Sequence, residues 1–74
     1  MVIVYHMMSE DLLKNREIII EYYPVGAYVK VSAMDAKSLT EISIQGPASA
    51  DEETLKRNAL KRLQYVLKKK GIIA

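Results

Sequence analysis

The stretch EIIIE carries two carboxylates, Glu17 and Glu21, at a spacing that could pair them for acid and base chemistry. In an extended strand these side chains share one face and lie about 13 Å apart. That separation exceeds the one that the catalytic carboxylate pairs of glycosidases use. The single histidine, His6, has no Cys, Ser or carboxylate beside it at a recognisable catalytic spacing. We therefore expect none of these three residues to be catalytic.

The stretch QGPAS at residues 45–49 joins a predicted strand to a predicted helix, as phosphate-binding loops do. It contains one glycine, and a phosphate there would be repelled by the following acids Asp51, Glu52 and Glu53. A turn and a helix cap explain this stretch better. The chain also lacks cysteine, and 8.4 kDa leaves little room for an enclosed pocket. We expect no enzyme activity, no cofactor, no metal and no small-molecule substrate.

A cluster of cations near the carboxyl terminus could bind an anionic partner. Residues 55–74 carry seven Lys or Arg and no acid, whereas the preceding part of the chain carries four bases and nine acids. On a helical wheel, Tyr65 points away from the apolar stripe. The cations around it at helical spacing are Lys61, Arg62, Lys68 and Lys69. Such a group could stack on a base and contact phosphates, or it could be the solvated side of an ordinary helix.

Three runs rich in β-branched and aromatic residues, or with alternating polarity, predict strands. They are EIIIEYY at 17–23, AYVKVSAMDA at 27–36 and LTEISIQGP at 39–47. The connections between them are short, which favours antiparallel neighbours in a meander. We treat residues 1–16 as a variable, flexible amino-terminal segment, in which Ser9 could cap a short helix, and residues 17–74 as one domain.

After the third predicted strand the apolar residues recur at helical spacing instead of alternating, which predicts a helix from about Ala50 to about Lys70. Ser49 and Glu52 have the spacing of a capping box, and Gly71 is suited to end the helix. The predicted fold class is α+β, a three-stranded antiparallel meander with one long C-terminal helix packed on one face. The predicted core consists of Ile18, Ile20, Val29, Val31, Ile42, Ile44, Leu55, Ala59, Leu63, Val66 and Leu67.

The sheet face away from the helix, which we call the open face, is more apolar than a solvated surface requires. Alternation places Ile19, Tyr23, Tyr28 and Met34 on it, among polar residues. It could be covered by the amino-terminal VIVY segment, by a second copy of the chain or by another protein. A homodimer or a protein partner is therefore expected, with nucleic acid on the basic helix as the alternative.

The opening MVIVYHMM is apolar but too short to span a bilayer. It also lacks the basic start and the cleavage site of a secretion signal. From these two features we expect a soluble cytoplasmic protein without a membrane partner.

Two resemblances bear on function. The predicted element order is similar to that of double-stranded-RNA-binding domains, whose last helix begins with lysines, but here it begins ADEETLK and no residue carries over. The turn with Pro24 and Gly26, together with VKVSAMDA, EISIQGP and LQYVLKK, resembles a family of short uncharacterised bacterial proteins, mainly alphaproteobacterial, over residues 17–70. That resemblance implies a stand-alone cytoplasmic domain of unknown function and supplies no site residues.

Overall fold

The computed structural model describes residues 2–6 and 16–74, which form one antiparallel sheet with a helix packed on it. The elements in chain order are the strands Val2–His6 (β1), Glu17–Val25 (β2), Tyr28–Asp35 (β3) and Thr40–Pro47 (β4), and the helix Glu52–Lys69 (α1). The strands lie in the order β1-β2-β3-β4, so each pairs with its neighbour in sequence. The predicted α+β meander with a C-terminal helix is confirmed, and the sheet has one strand more than the sequence predicts.

The additional strand is β1, which lies at one edge of the sheet. It pairs with β2 in a register that runs from Val2 opposite Glu21 to His6 opposite Glu17. The VIVY residues thus extend the sheet sideways instead of covering the open face. The flexible segment was predicted for residues 1–16, of which residues 2–6 form β1. The rest of that prediction, including the short helix capped by Ser9, falls mainly on residues 1 and 7–15, which lie outside the described residues.

The turn between β2 and β3 depends on a glycine. Gly26 has φ of 60°, and no positive φ follows at Ala27. A positive φ at the first turn position alone is typical of a type II′ turn, whose twist matches that of the strands it joins. This tight turn fixes the β2–β3 register and thereby decides which side chains share a face.

The core lies between α1 and the sheet. Its buried apolar residues are Ile18, Ile20, Tyr22, Val31, Ala33, Leu55, Ala59, Leu63 and Leu67. Two of them, Tyr22 and Ala33, are absent from the predicted core. Four predicted members are only half-buried, namely Val29, Ile42, Ile44 and Val66. For Ile42 and Ile44 the reason is that β4 lies at the second edge of the described sheet, with no described strand on its outer side.

The start of α1 differs from the prediction. Asp51, and not Ser49, is the N-cap, because its carboxylate accepts the backbone N–H of Thr54 at 3.3 Å. The helix begins at Glu52, two residues later than predicted. The acids predicted for the first turn are present, as Glu52 and Glu53, and they complement the positive end of the helix dipole.

The end of α1 agrees with the prediction. Gly71 has φ of 77° and donates its N–H to the carbonyl of Lys68 at 3.0 Å. Ile72 donates to the carbonyl of Leu67 at 2.9 Å. These two bonds form a Schellman motif, which turns Ile72 back against the core.

Close packing of α1 on β4 explains a second glycine. A Cβ atom at Gly46 would collide with the side chain of Leu55. Glycine at this position therefore lets the first turn of the helix approach the end of β4. Among the helices in the described ranges, none is long and apolar enough to cross a lipid bilayer.

Candidate functional site

The open face is most apolar near the β2–β3 turn. Val25 is paired with Tyr28, and Tyr23 is paired with Lys30, which places all four side chains on this face. Tyr23 and Tyr28 are each 42% exposed and Val25 is 45% exposed. An aromatic patch of this kind, flanked by a cation, has the composition of many protein-binding surfaces.

The other end of the open face carries the remaining two predicted residues. Ile19 and Met34 are direct cross-strand partners and both are half-buried. The structure therefore places Ile19, Tyr23, Tyr28 and Met34 on one face, in two groups. Their role in binding stays a prediction.

Polar residues separate the two groups. Glu21 is opposite Ser32, which is opposite Ser43, so these side chains form a row across β2, β3 and β4. Ser32 is in the central strand of these three and is only 3% exposed. This row makes the middle of the open face hydrophilic and leaves apolar surface at both ends.

Tyr23 is held in place by its neighbours. Its hydroxyl donates a hydrogen bond to Glu21, which together with weaker effects raises the pKa of Tyr23 above its ordinary value. The Lys30 ammonium lies 5.7 Å from the centre of the Tyr23 ring, within cation–π range. Tyr23 thus has polar and cationic neighbours on the open face that favour one position of its ring.

The basic cluster on α1 also forms as predicted. Tyr65 is 53% exposed. The Arg62 guanidinium lies 5.7 Å and the Lys69 ammonium 5.6 Å from the centre of its ring. Lys61 and Lys68 line a shallow cleft of about 200 Å³ beside Tyr65, together with Gln64. All five predicted residues therefore lie on one side of the helix.

The contacts of Tyr65 favour the interpretation of this cluster as the solvated side of an ordinary helix. Arg62 and Lys69 approach the ring from within the same helix, and the Lys69 ammonium also donates to the Tyr65 hydroxyl at 3.5 Å. Such contacts use the π system that a base would need for stacking. A base that stacks on Tyr65 would compete with these cations for the ring.

Two features of the structure are absent from the sequence-based prediction, and the first is a groove beside the β2–β3 turn. It has a volume of about 380 Å³ and is bordered by Tyr22, Pro24, Val29, Ala48, Ala50, Glu52 and Leu55. Burial raises the pKa of Tyr22, and the nearby Glu52 raises it further. The sequence contains a signal for the burial of Tyr22. Tyr22 follows Ile18 and Ile20 at two-residue intervals along β2, so its side chain lies on the same face of the sheet.

The second feature is a buried ion pair at the opposite end of the sheet. Asp35 is fully buried, and its Oδ2 atom accepts hydrogen bonds from Arg16 Nη1 at 2.6 Å and from the Ser38 hydroxyl at 2.6 Å. Within the described part of the chain, Asp35 Oδ1 has no hydrogen-bond partner. Asp35 shares the parity of Val31 and Ala33 along β3, so it points to the helix side despite its polarity.

The Asp35 carboxylate is neutralised by Arg16 and bound by the β3–β4 turn, so its role is to join that turn to the residue that precedes β2. Arg16 also donates to the carbonyl of Ile72 at 3.5 Å, which extends the cluster to the end of the chain.

Comparison with known proteins gives one match. The family model described as "Domain of unknown function (DUF6898)" matches residues 15–70, which is most of the chain. No curated protein and no solved structure matches. The predicted resemblance to a family of unknown function is thus confirmed over nearly the predicted range, and the chain belongs to the DUF6898 family.

Proposed function

We propose that this member of the DUF6898 family is a non-enzymatic protein-binding domain and that the open face is its binding surface. The observation that carries the proposal is the exposure of Tyr23, Val25 and Tyr28, each above 40%, on a face that no described element of the fold covers. A small domain that leaves three large apolar side chains together in water loses stabilisation unless another molecule covers them.

The arrangement of the face supports a protein partner. Tyrosine and other aromatic residues are enriched at the centres of protein interfaces, where the ring is buried and the hydroxyl keeps a polar contact. Tyr28 is at the centre of the apolar group, since it is opposite Val25 in one neighbouring strand and Pro47 in the other. In the polar row, Glu21 and Ser43 reach the surface and would supply hydrogen bonds next to this apolar contact, whereas Ser32 is buried.

Variants of the open face test this proposal. Introducing a carboxylate by Tyr28→Glu or Ile19→Glu places a charge where the partner's apolar surface should lie, and is expected to reduce partner recovery roughly tenfold or more. Tagged protein is purified from cells that naturally encode it, and co-purifying proteins are quantified by mass spectrometry. Asn58→Glu is the matched control, because Asn58 is exposed on α1 and the added charge is the same.

The proposal requires that the same proteins be lost from both open-face variants and retained by Asn58→Glu. Circular dichroism confirms that all three variants are folded. Equal recovery from Tyr28→Glu and Asn58→Glu would contradict binding through the open face.

Nucleic-acid binding through α1 is the second candidate function, supported by the cleft that Lys61, Lys68 and Tyr65 border. It would show as a low-salt gel shift with RNA or DNA that weakens as salt rises. Replacing Lys61, Arg62, Lys68 and Lys69 by glutamate would abolish the shift, and Tyr65→Ala would weaken it. Because Arg62 and Lys69 already contact the Tyr65 ring, we expect no shift, and a salt-sensitive one would favour this second function.

A further inference from the structure

The outer edge of β4 is an eight-residue strand edge without a neighbouring strand in the described sheet. Its register with β3 is continuous, one residue opposite one residue from Tyr28 and Pro47 to Asp35 and Thr40, so no bulge interrupts it. A long regular edge of this kind presents a row of unpaired backbone groups to any other strand.

The residues that present these groups follow from the hydrogen-bond pattern. Ala48 donates its N–H to the carbonyl of Ala27 at 2.9 Å, and these two residues continue the β3–β4 register. Hydrogen-bonded and non-bonded pairs alternate in an antiparallel ladder. The backbone groups of Ile42 and Ile44 therefore point to β3, and those of Glu41, Ser43 and Gln45 point outward.

The edge has few of the features that protect edge strands from pairing. Lysine is absent from β4, and its single charged residue is Glu41. Its proline, Pro47, is at the last position and leaves the outward N–H groups of Ser43 and Gln45 in place. Ile42 and Ile44 remain half-buried, so a strand added here would also cover apolar side chains.

We infer that β4 pairs with β4 of a second copy of this chain, antiparallel and centred on Ser43. In this register Ser43 is opposite the partner's Ser43, and Glu41 is opposite the partner's Gln45. All three outward-pointing residues then lie in hydrogen-bonded pairs, which gives six backbone hydrogen bonds across the interface, two for each of the three pairs.

Side chains also match in this register. Ile42 is opposite the partner's Ile44 in a non-hydrogen-bonded pair, the closer of the two pair types, on the side of the sheet that α1 covers. On the open face Glu41 is opposite an uncharged amide, so no like charges meet. This complementarity is the reason to choose a second copy, and not an unrelated peptide, as the partner.

The two-fold axis of such a pair is perpendicular to the sheet. Both helices then lie on one side, with their axes roughly 10 Å apart since each covers β3 and β4, a normal distance for packed helices. Both open faces lie on the other side and become one continuous surface of eight strands. This inference uses the edge of the sheet and is independent of any binding by the open face.

Two lysine substitutions on the same edge test both the dimer and its register. Ser43→Lys places two ammonium groups opposite each other on the two-fold axis and is expected to weaken the dimer about fivefold. Gln45→Lys places each new ammonium opposite the partner's Glu41 and is expected to tighten the dimer about fivefold. Sedimentation equilibrium at physiological ionic strength measures the dimer dissociation constant of each variant.

A third variant removes backbone hydrogen bonds directly. Ser43→Pro deletes an outward N–H and leaves the β3–β4 ladder intact, so it is expected to weaken the dimer roughly tenfold or more. A monomeric wild-type protein at high concentration would overturn the inference. The inference would also be overturned if both lysine variants shifted the dimer dissociation constant in the same direction. A dimer that Tyr28→Glu disrupts and Ser43→Pro does not would overturn it as well.

Discussion

Replacing Leu63 by alanine is expected to lower the free energy of unfolding by about 3 kcal/mol. Leu63 is fully buried at the centre of the stripe that α1 packs on the sheet, between Ala59 and Leu67. The substitution removes a large side chain from the core and leaves a cavity that the sheet cannot collapse to fill. A single domain of this size has a total stability of roughly 5 kcal/mol, so the variant should keep only about 2 kcal/mol of it.

Urea denaturation followed by circular dichroism measures this loss. Leu39→Ala is the matched control, because Leu39 is 70% exposed and the same atoms are removed from water-exposed surface. Its expected change is within about 0.5 kcal/mol. Similar losses in the two variants would show that the described core does not hold the fold together.

Replacing Arg16 by methionine is expected to cost about 3 kcal/mol, the lower end of the range for breaking a buried ion pair. Arg16 is 13% exposed at its side chain, and Asp35 is not exposed at all. Methionine keeps most of the apolar stem of Arg16 and removes the charge, so Asp35 is left as a buried carboxylate. Hydrogen bonds from Ser38 still reach Asp35 Oδ2, which is why the lower end is expected.

A second substitution separates charge from packing. Asp35→Asn in the Arg16→Met background removes the unpaired charge, so the double variant is expected to be more stable than Arg16→Met alone. The same urea denaturation measures both. If Arg16→Met costs less than about 1 kcal/mol, the pair behaves like an exposed salt bridge and the account of a buried cluster is wrong.

Local patterns in the sequence were sufficient to predict most of the fold. The content of β-branched and aromatic residues identified β2, and alternation of polarity identified β3 and β4, because one face of each strand is buried and the other is not. The 3.6-residue period did the same for α1, and Gly71 marked its end. Each of these signals is contained within one segment, so no knowledge of tertiary contacts was needed.

Features that depend on distant contacts were missed. The run VIVYH of β1 is short and shows no alternation of polarity, so periodicity cannot distinguish a strand from a helical segment there. Both Ser49 and Asp51 precede acids and could cap a helix, and the choice depends on how the chain leaves β4. Burial of Asp35 requires Arg16, which is 19 residues away in sequence.

The candidate site was predictable in composition and not in detail. Side chains alternate between the two faces of a strand, and this alternation alone placed Ile19, Tyr23, Tyr28 and Met34 on one face. Division of this face into two apolar ends, with a polar row between them, depends on the register across three strands. The conformation of the turn at Gly26 and the pairing of β3 with β4 set that register. Neither can be worked out from the residue pattern of one strand.

The most direct test of the open face as a protein-binding surface is photo-crosslinking in cells that naturally encode the protein. A benzophenone amino acid replaces Tyr28 on the open face in one variant and Tyr65 on α1 in the other, two tyrosines of similar exposure. The proposal requires discrete protein adducts from position 28 that resist nuclease, and none from position 65. Adducts from position 65 alone, or adducts that nuclease removes, would contradict it.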